Sequence, residues 1–70
     1  MNLRQIRGIR ELTQKQLSEL SGIHQQYISE IESGKRSIDS MGIKILKKYC
    51  KALNCKVEIT ADTIDFTILE

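Results

Sequence analysis

Apolar residues recur every three or four positions through the first 53 residues of the chain, which is the spacing of an amphipathic helix. The pattern predicts a first helix over residues 2–11, a second over residues 14–21, and a third that begins near His24 and is closed by Gly34. Residues 35–41 are predicted as a loop. A fourth helix then ends at Asn54 and carries an apolar stripe made of Ile43, Leu46, Cys50 and Leu53.

The second helix has sequence signals at both of its ends. Thr13 and Gln16 have the spacing of a capping box, in which each side chain accepts a hydrogen bond from the other residue's backbone amide. Gly22 fits the left-handed position that ends a helix. Only Gly22, Ile23 and His24 separate this helix from the third, so the two helices cannot lie antiparallel and must cross steeply. A short turn of this kind that contains glycine defines a helix-turn-helix.

The period of the pattern changes from 3.6 to 2 after residue 54. Val57 and Ile59 alternate with polar residues, and a second alternating run contains Ile64, Phe66 and Ile68. Two short strands joined around residues 62–63 predict a β-hairpin. Because an isolated hairpin is marginally stable in water, this one is expected to pack on the helices, to pair with another chain, or both. The predicted fold is therefore mainly α, with a four-helix domain over residues 1–53 and a hairpin of the same domain over residues 54–70.

Charged residues are distributed unevenly along the chain. The whole chain has a net charge of +2. Residues 1–53 carry ten Lys and Arg against five Asp and Glu, whereas residues 54–70 carry one Lys against four acidic residues. The first part, at +5, is suited to a polyanion, and the second part, at −3, would be repelled by one. Solvated helix faces are also rich in lysine, so charge alone only indicates where a partner would bind.

Several classes of function lack the residues that they need. Two cysteines without a second Cys or His cluster do not outline a zinc site, and the single histidine, His24, has no nearby ligand set. No nucleophile–base pair, phosphate-binding glycine loop or acid–base dyad is present, so the sequence predicts neither an enzyme nor a cofactor. No stretch approaches the roughly 18 apolar residues of a membrane span. The chain is expected to be cytoplasmic with reduced thiols, Cys50 in the core and Cys55 exposed.

A run of residues through the second and third helices can be compared as a whole: Leu12-Thr13-Gln14, Leu17-Ser18, Ser21-Gly22-Ile23, Gln25, Tyr27-Ile28-Ser29 and Ile31-Glu32-Ser33-Gly34-Lys35. In order and without a gap, these residues resemble the Cro and phage-repressor (Xre-type) helix-turn-helix family over about residues 3–53. The resemblance implies a lambda-repressor-like domain and a regulator of transcription that binds double-stranded DNA. The ending, residues 47–53 followed by two strands, is similar to a narrower group that includes many antitoxins.

Three positions depart from the family's pattern. Glu11 stands where the end of the first helix usually has glycine, which predicts a differently built turn. His24 stands where Ser or Thr commonly caps the third helix, so a weaker cap is expected. Gly42 stands where the group with a C-terminal β element often has a basic residue, so one backbone contact with DNA is expected to be missing.

The resemblance also implies which residues meet DNA. The third helix enters the major groove, where Gln pairs with adenine and Glu accepts from cytosine. Base reading is therefore assigned to Gln25, Gln26, Ser29 and Glu30. Phosphate contacts are assigned to the start of the second helix, whose free amides favour an anion, and to positions in and after the third; these are Gln14, Lys15, Tyr27, Lys35 and Arg36. Arg7 and Glu32 occupy the positions of an ion pair between the first and third helices.

Some of these assignments have structural alternatives. The polar side of the third helix also has the composition of an ordinary solvated face, and Tyr27 is nearly as well suited to packing beneath the helix. Solvation is the preferred interpretation for the lysines of the fourth helix, which are Lys44, Lys47, Lys48 and Lys51. Arg4 and Arg10 have no assigned role.

A chain of this length has a marginal core, so pairing with a second copy is expected to increase its stability. One such module also makes few phosphate contacts, so DNA affinity too favours a homodimer. Two copies would read half-sites about 34–36 Å apart on palindromic DNA. The hairpin leaves an edge that can pair across a two-fold axis; the predicted dimer contact consists of Val57, Ile59, Ile64, Phe66 and Ile68. The function predicted first is a repressor. The alternatives are an antitoxin that neutralises a toxin protein and an interaction module without DNA binding.

Overall fold

The structure of the protein, a computed structural model, describes residues 1–69. Its elements follow in this order: α1 (Leu3–Ile9), α2 (Gln14–Ser21), α3 (Gln25–Ser33), a 3₁₀ turn (Ile38–Ser40), α4 (Ile43–Leu53), β1 (Cys55–Ile59) and β2 (Ile64–Ile68). Four helices followed by an antiparallel hairpin confirm the predicted fold class. The 3₁₀ turn lies within the segment predicted as a loop. Glu70, the last residue of the predicted hairpin segment, lies outside the described residues.

Side-chain caps determine where α1 and α2 begin. Asn2 accepts from the amide of Gln5 at 2.8 Å, and the Gln5 side chain accepts from the amide of Asn2 at 2.9 Å. Thr13 and Gln16 form the same capping box at the start of α2, as predicted. Each box satisfies two amides that would otherwise lack a partner. The first helix is shorter than the predicted range of 2–11, because Asn2 is its cap and Arg10 already lies beyond its end.

Residues in the left-handed conformation end the other helices. Gly22 and Gly34, with φ of 73° and 81°, close α2 and α3, where glycine avoids the steric penalty of a Cβ. Asn54 closes α4 in the same way, with φ of 50°. His24 precedes α3 and makes no side-chain cap hydrogen bond, in agreement with the weaker cap expected there.

Glu11 also adopts the left-handed conformation, with φ of 56°, just after α1. Its amide donates to the Gly8 carbonyl at 3.0 Å, and the Leu12 amide donates to the Arg7 carbonyl at 3.1 Å. These are the backbone contacts of a helix that is closed by glycine. The expectation of a differently built turn is therefore wrong, and the glutamate occupies a conformation that suits glycine better.

We expect Glu11→Gly to raise the free energy of unfolding by about 0.5–1 kcal/mol. In the left-handed conformation, the Cβ of a non-glycine residue destabilises the folded state by about 1–2 kcal/mol, and glycine removes this steric cost. The greater conformational entropy of glycine in the unfolded chain offsets part of the gain in stability. Thermal unfolding followed by circular dichroism measures the change. Glu11→Ala is the matched control, because it removes the same charge but keeps a Cβ. An equal rise in Tm for both variants would contradict the backbone explanation.

A single apolar core lies between the helices and the hairpin, and its largest fully buried side chains are Tyr49, Ile6, Leu17, Ile28 and Leu53. The predicted stripe of α4 is only partly correct. Leu46 and Leu53 are buried, but Ile43 is 62% exposed and Cys50 is half-buried. Tyr49 takes the inner position on α4, because the helix is rotated so that residues 46, 49 and 53 face the core.

The hairpin is packed into this core. β1 and β2 are antiparallel, with Val57 opposite Phe66 and Ile59 opposite Ile64. Cys55 and Phe66 belong to the same buried cluster as the helices. The prediction that Cys55 is exposed is therefore wrong: β1 follows α4 after one residue, and its first side chain enters the core. Burial raises the pKa of the Cys55 thiol to about 12, so the thiol stays protonated.

Candidate nucleic-acid interface

Helix α3 has one apolar face and one polar face. Ile28 and Ile31 are buried. Three of the four predicted base-reading residues are exposed, namely Gln25, Gln26 and Ser29. Glu30, the fourth, has a side chain that is only 20% exposed. The exposed part of the predicted recognition surface is therefore concentrated in the first half of α3.

Short polar contacts hold the turn between α2 and α3. The Ser18 hydroxyl donates to the Ile23 carbonyl at 2.5 Å, and the Ile23 amide donates to the Ser21 hydroxyl at 3.1 Å. The Ile23 side chain is buried in the core. These contacts fix the orientation of α3 relative to α2.

An ion pair joins α1 to α3. Arg7 Nε donates to Glu32 Oε2 at 2.7 Å, and Arg7 Nη2 donates to Glu32 Oε1 at 2.8 Å. The remaining nitrogen, Nη1, donates to the Leu12 carbonyl at 2.8 Å. The two side chains are 18% and 5% exposed, so both charges are largely removed from water. A bidentate pair of this kind fixes the geometry strongly, although desolvation offsets much of its attraction.

Gln14 connects this ion pair to the start of α2, since its side-chain amide donates to Glu32 Oε1 at 3.2 Å. Burial raises the pKa of Glu32. The hydrogen bonds from Arg7 and Gln14, together with the charges of Arg7 and Arg4, outweigh burial and hold that pKa below its ordinary value. The hydrogen bond to Glu32 raises the pKa of Arg7. Both groups therefore stay charged, and the start of α2 is held against α3.

A second cluster consists of Arg36, Glu30 and Tyr27. It lies on a different side of α3 from the first ion pair, because Glu30 and Glu32 are two positions apart and such residues do not share a helix face. Arg36 Nε and Nη2 both donate to Glu30 Oε1, at 3.2 Å and 3.0 Å. The guanidinium carbon lies 4.6 Å from the centroid of the Tyr27 ring, within cation–π distance. The ring of Tyr27 also packs against the core, which is the structural alternative expected for it.

Three further basic residues lie exposed near this surface or at its border: Lys15 at the start of α2, Lys35 after α3, and Arg4 on α1. Arg4 lines a cleft that it shares with Gln14 and Ser29. Its positive charge therefore lies beside the predicted phosphate contact of Gln14. The sequence left Arg4 without a role, because periodicity does not show which helices a side chain lies between.

Arg10, the other unassigned arginine, has a structural role. Its Nε donates to the Leu53 carbonyl at 2.9 Å, and its Nη2 donates to the carbonyls of Asn54 and Leu69, at 3.0 Å and 2.8 Å. Arg10 thereby ties the end of α1 to the end of α4 and to the residue after β2. Sequence reasoning missed it because every residue carries a backbone carbonyl, so these acceptors leave no specific signal.

The five residues of the predicted dimer contact differ in exposure. Ile59 is 57% exposed, whereas Phe66 is 2% exposed and packs within its own chain. The other three are half-buried: Val57, Ile64 and Ile68. Among the five, Ile59 therefore offers the largest free apolar surface.

The hydrogen-bonding pattern of the hairpin shows which backbone groups are free. The Thr60 amide donates to the Thr63 carbonyl at 2.8 Å, and the Leu69 amide donates to the Asn54 carbonyl at 3.0 Å. Hydrogen-bonded and non-hydrogen-bonded pairs alternate in an antiparallel ladder. Because Thr60 and Thr63 form a hydrogen-bonded pair, the next pair, Ile59 and Ile64, is not hydrogen-bonded. The amides and carbonyls of these two residues therefore point away from the partner strand. The end of the hairpin next to its turn thus has unpaired edge groups.

Two kinds of site are absent from residues 1–69. In this part of the chain, no group of three or more His, Cys, Asp or Glu side chains is placed to hold a metal ion. None of its helices combines the length and the apolar character needed to cross a membrane.

Comparison with known proteins identifies the family. The profile of a helix-turn-helix family, HTH_3, matches residues 3–59. Control protein C.SmaI of Serratia marcescens is 41% identical over 56 residues, covering 80% of this chain and 63% of that protein. Putative antitoxin HigA2 of Mycobacterium tuberculosis (strain ATCC 25618 / H37Rv) is 38% identical over 65 residues, covering 93% and 62%. The chain thus spans less than two thirds of the length of either relative. The matched residues include the whole of α2, α3 and the turn between them, and the chain belongs to the Xre-type helix-turn-helix family of DNA-binding regulators.

Proposed function

We propose that this protein is a homodimeric, sequence-specific repressor that reads a palindromic operator through α3. The observation that carries the proposal is the division of α3 into two halves. Its second half is held by ion pairs, Glu32 with Arg7 and Glu30 with Arg36. Its first half, with Gln25 and Gln26, is exposed. Recognition helices of this motif direct their N-terminal residues at base edges in the major groove.

The chemistry of the exposed residues suits base reading. A glutamine amide can donate to N7 and accept from the N6 amino group of one adenine, so Gln25 and Gln26 favour A·T pairs. Ser29 lies one turn after them on the same side of the helix and can donate or accept.

Phosphate contacts would flank this helix on both sides. The start of α2 presents free amides together with Gln14 and Lys15, a combination that favours an anion. Lys35 and Arg36 follow α3 and would bind the backbone on its other side, with the hydroxyl of Tyr27 as a further donor. Such contacts set the position of the protein on DNA and make its affinity depend on salt.

A second copy would be held by the hairpin. The free edge groups and the exposed side chain of Ile59 lie on β1, so β1 can pair with its copy and extend the sheet across a two-fold axis. The acidic residues of the segment keep this surface away from DNA. Dimerisation would place two α3 helices in successive major grooves, about 34–36 Å apart.

Selection of bound duplexes from a random DNA pool, followed by titration of the selected duplex at several salt concentrations, tests the proposal. The expected product is palindromic, with half-sites one helical turn apart. We expect it to bind at least about 10³-fold more tightly than random DNA. Weak binding that does not depend on the DNA sequence would overturn the proposal of a repressor. It would favour a module that binds another protein instead of DNA.

We expect Gln26→Ala to weaken binding to the selected duplex by about 1–3 kcal/mol and to relax the preference at one base position. The side chain is exposed, so thermal stability should stay the same. Lys35→Ala is the matched control, which should weaken all duplexes alike and reduce the salt dependence by about one phosphate contact. An unchanged base preference in Gln26→Ala would show that other residues of α3 face the bases.

A second candidate function is that of an antitoxin, which would use α3 to regulate its own operon and another surface to neutralise a toxin protein. It is favoured by the 38% identity, over 93% of this chain, to a protein named putative antitoxin. The test is co-expression with the product of an adjacent small reading frame. If the two proteins copurify and this chain relieves a growth inhibition caused by the other product, the antitoxin function is supported. If neither effect is seen, the repressor function is favoured.

A further inference from the structure

Glu30 differs from the other predicted base readers because its side chain is already engaged. Glu30 Oε1 accepts two hydrogen bonds from Arg36, at 3.2 Å and 3.0 Å. The backbones are joined as well, since the Arg36 amide donates to the Glu30 carbonyl at 3.1 Å. The Glu30 side chain is 20% exposed, whereas that of Arg36 is 47% exposed. Arg36 is therefore the member of the pair that is accessible to a ligand.

The orientation of the Arg36 guanidinium is fixed by two neighbours. Glu30 holds its Nε edge, and the Tyr27 ring lies against it, with 4.6 Å between the guanidinium carbon and the ring centroid. Of the five N–H donors of an arginine, Glu30 takes two. The three that remain include a parallel pair on Nη1 and Nη2. Such a pair matches two neighbouring acceptors, either O6 and N7 of a guanine or two oxygens of a phosphate.

We propose that Glu30 is a positioning residue for Arg36, and that Arg36 rather than Glu30 makes the DNA contact at this place. The inference rests on the proposed function and concerns how one part of the same surface works. A guanidinium held between a carboxylate and a ring loses less conformational freedom on binding than a free one. The pairing also compensates the negative charge of Glu30, which DNA phosphates would otherwise repel.

A double-mutant cycle on the selected duplex, with Glu30→Ala, Arg36→Ala and the double variant, tests this assignment. We expect Glu30→Ala to lower the affinity about 10-fold in the otherwise unchanged protein. In the Arg36→Ala background, we expect an effect of less than about 2-fold, because the residue that Glu30 positions is gone. Glu19→Ala, which removes an exposed carboxylate of α2, is the control for the loss of one negative charge. Thermal unfolding checks that each variant is folded.

The base preferences of the single variants distinguish the two ligand chemistries. If Arg36 reads a guanine edge, both Glu30→Ala and Arg36→Ala lose the preference at the same G·C pair. If it binds a phosphate, both variants keep all base preferences and show the same reduced salt dependence. Either result, together with the coupling in the cycle, supports the positioning role.

Three results would overturn it. The first is that Glu30→Ala changes the affinity for the duplex equally in the presence and in the absence of the Arg36 side chain. The second is that Glu30→Ala loses the preference at a base pair where Arg36→Ala keeps it. The third is a gain in affinity from Glu30→Ala that exceeds the gain from Glu19→Ala. If the unmodified chain selects no duplex at all, the proposed function itself fails. That outcome is visible before any variant is made, so the two failures are distinguishable.

Discussion

Arg7→Ala is expected to lower the free energy of unfolding by about 3–5 kcal/mol, because it leaves the charge of Glu32 buried without its main partner. The Glu32 side chain is 5% exposed, and within residues 1–69 only the Gln14 amide, at 3.2 Å, would still donate to it. A domain of this size has a total stability of roughly 4–10 kcal/mol, so the loss removes a large part of it. Urea unfolding followed by circular dichroism measures the change.

Two controls separate the buried charge from other causes. Replacing both partners, with Arg7→Met and Glu32→Met in one chain, removes the charges together and should cost less than Arg7→Ala alone. Lys56→Ala breaks an exposed ion pair, Lys56 Nζ to Glu58 Oε1 at 3.4 Å, and should change stability by less than about 1 kcal/mol. If Arg7→Ala cost no more than Lys56→Ala, the pair between α1 and α3 would not hold the fold.

The pH dependence of stability provides an independent check on this pair. The pKa of Glu32 is held below its ordinary value of 4.5 in the folded chain, so its contribution is present above that pH and is lost as the pH falls through the folded pKa. The stability of the wild type relative to the double methionine variant should therefore decrease with acid. Asp65, whose pKa the terminal ammonium of Met1 lowers, is common to both chains and cancels in the difference.

Phe66→Ala is expected to cost about 3–5 kcal/mol, and the whole chain should still unfold in one transition. Phe66 is 2% exposed and belongs to the same buried cluster as Leu17 and Leu53 of the helices. A cavity at this position therefore weakens the contact between the hairpin and the helices as well as the hairpin itself. Thermal unfolding, with hydrogen exchange read separately for helices and strands, measures both effects.

Ile59→Ala is the matched control for this prediction, because Ile59 lies on the same sheet but is 57% exposed. It should change the stability of the monomer by about 1 kcal/mol or less. If Phe66→Ala released the strands while the helices kept their original Tm, the hairpin would be a separate unit. The domain would then end near residue 53 in a thermodynamic sense.

Elements whose signals are local can be predicted from the amino-acid sequence. The capping box of Thr13 and Gln16 joins residues three positions apart, and Gly22 and Gly34 end α2 and α3 through their own backbone conformation. These interactions depend only on spacing along the chain, so the spacing predicts them. The same holds for the alternation that places β1 and β2, and for the run of residues that identified the family.

Which side chains meet across elements depends on the packing of the whole chain. The rotation of α4 about its axis buries Tyr49 and exposes Ile43, although both fit a helical stripe. The contacts of Arg10 with carbonyls 43 to 59 residues away, and the placement of Arg36 between Glu30 and Tyr27, depend on how the helices and loops pack. Helical periodicity shows which residues share one face of a helix. It does not show which other element that face contacts, because the packing is set by the sum of many long-range contacts.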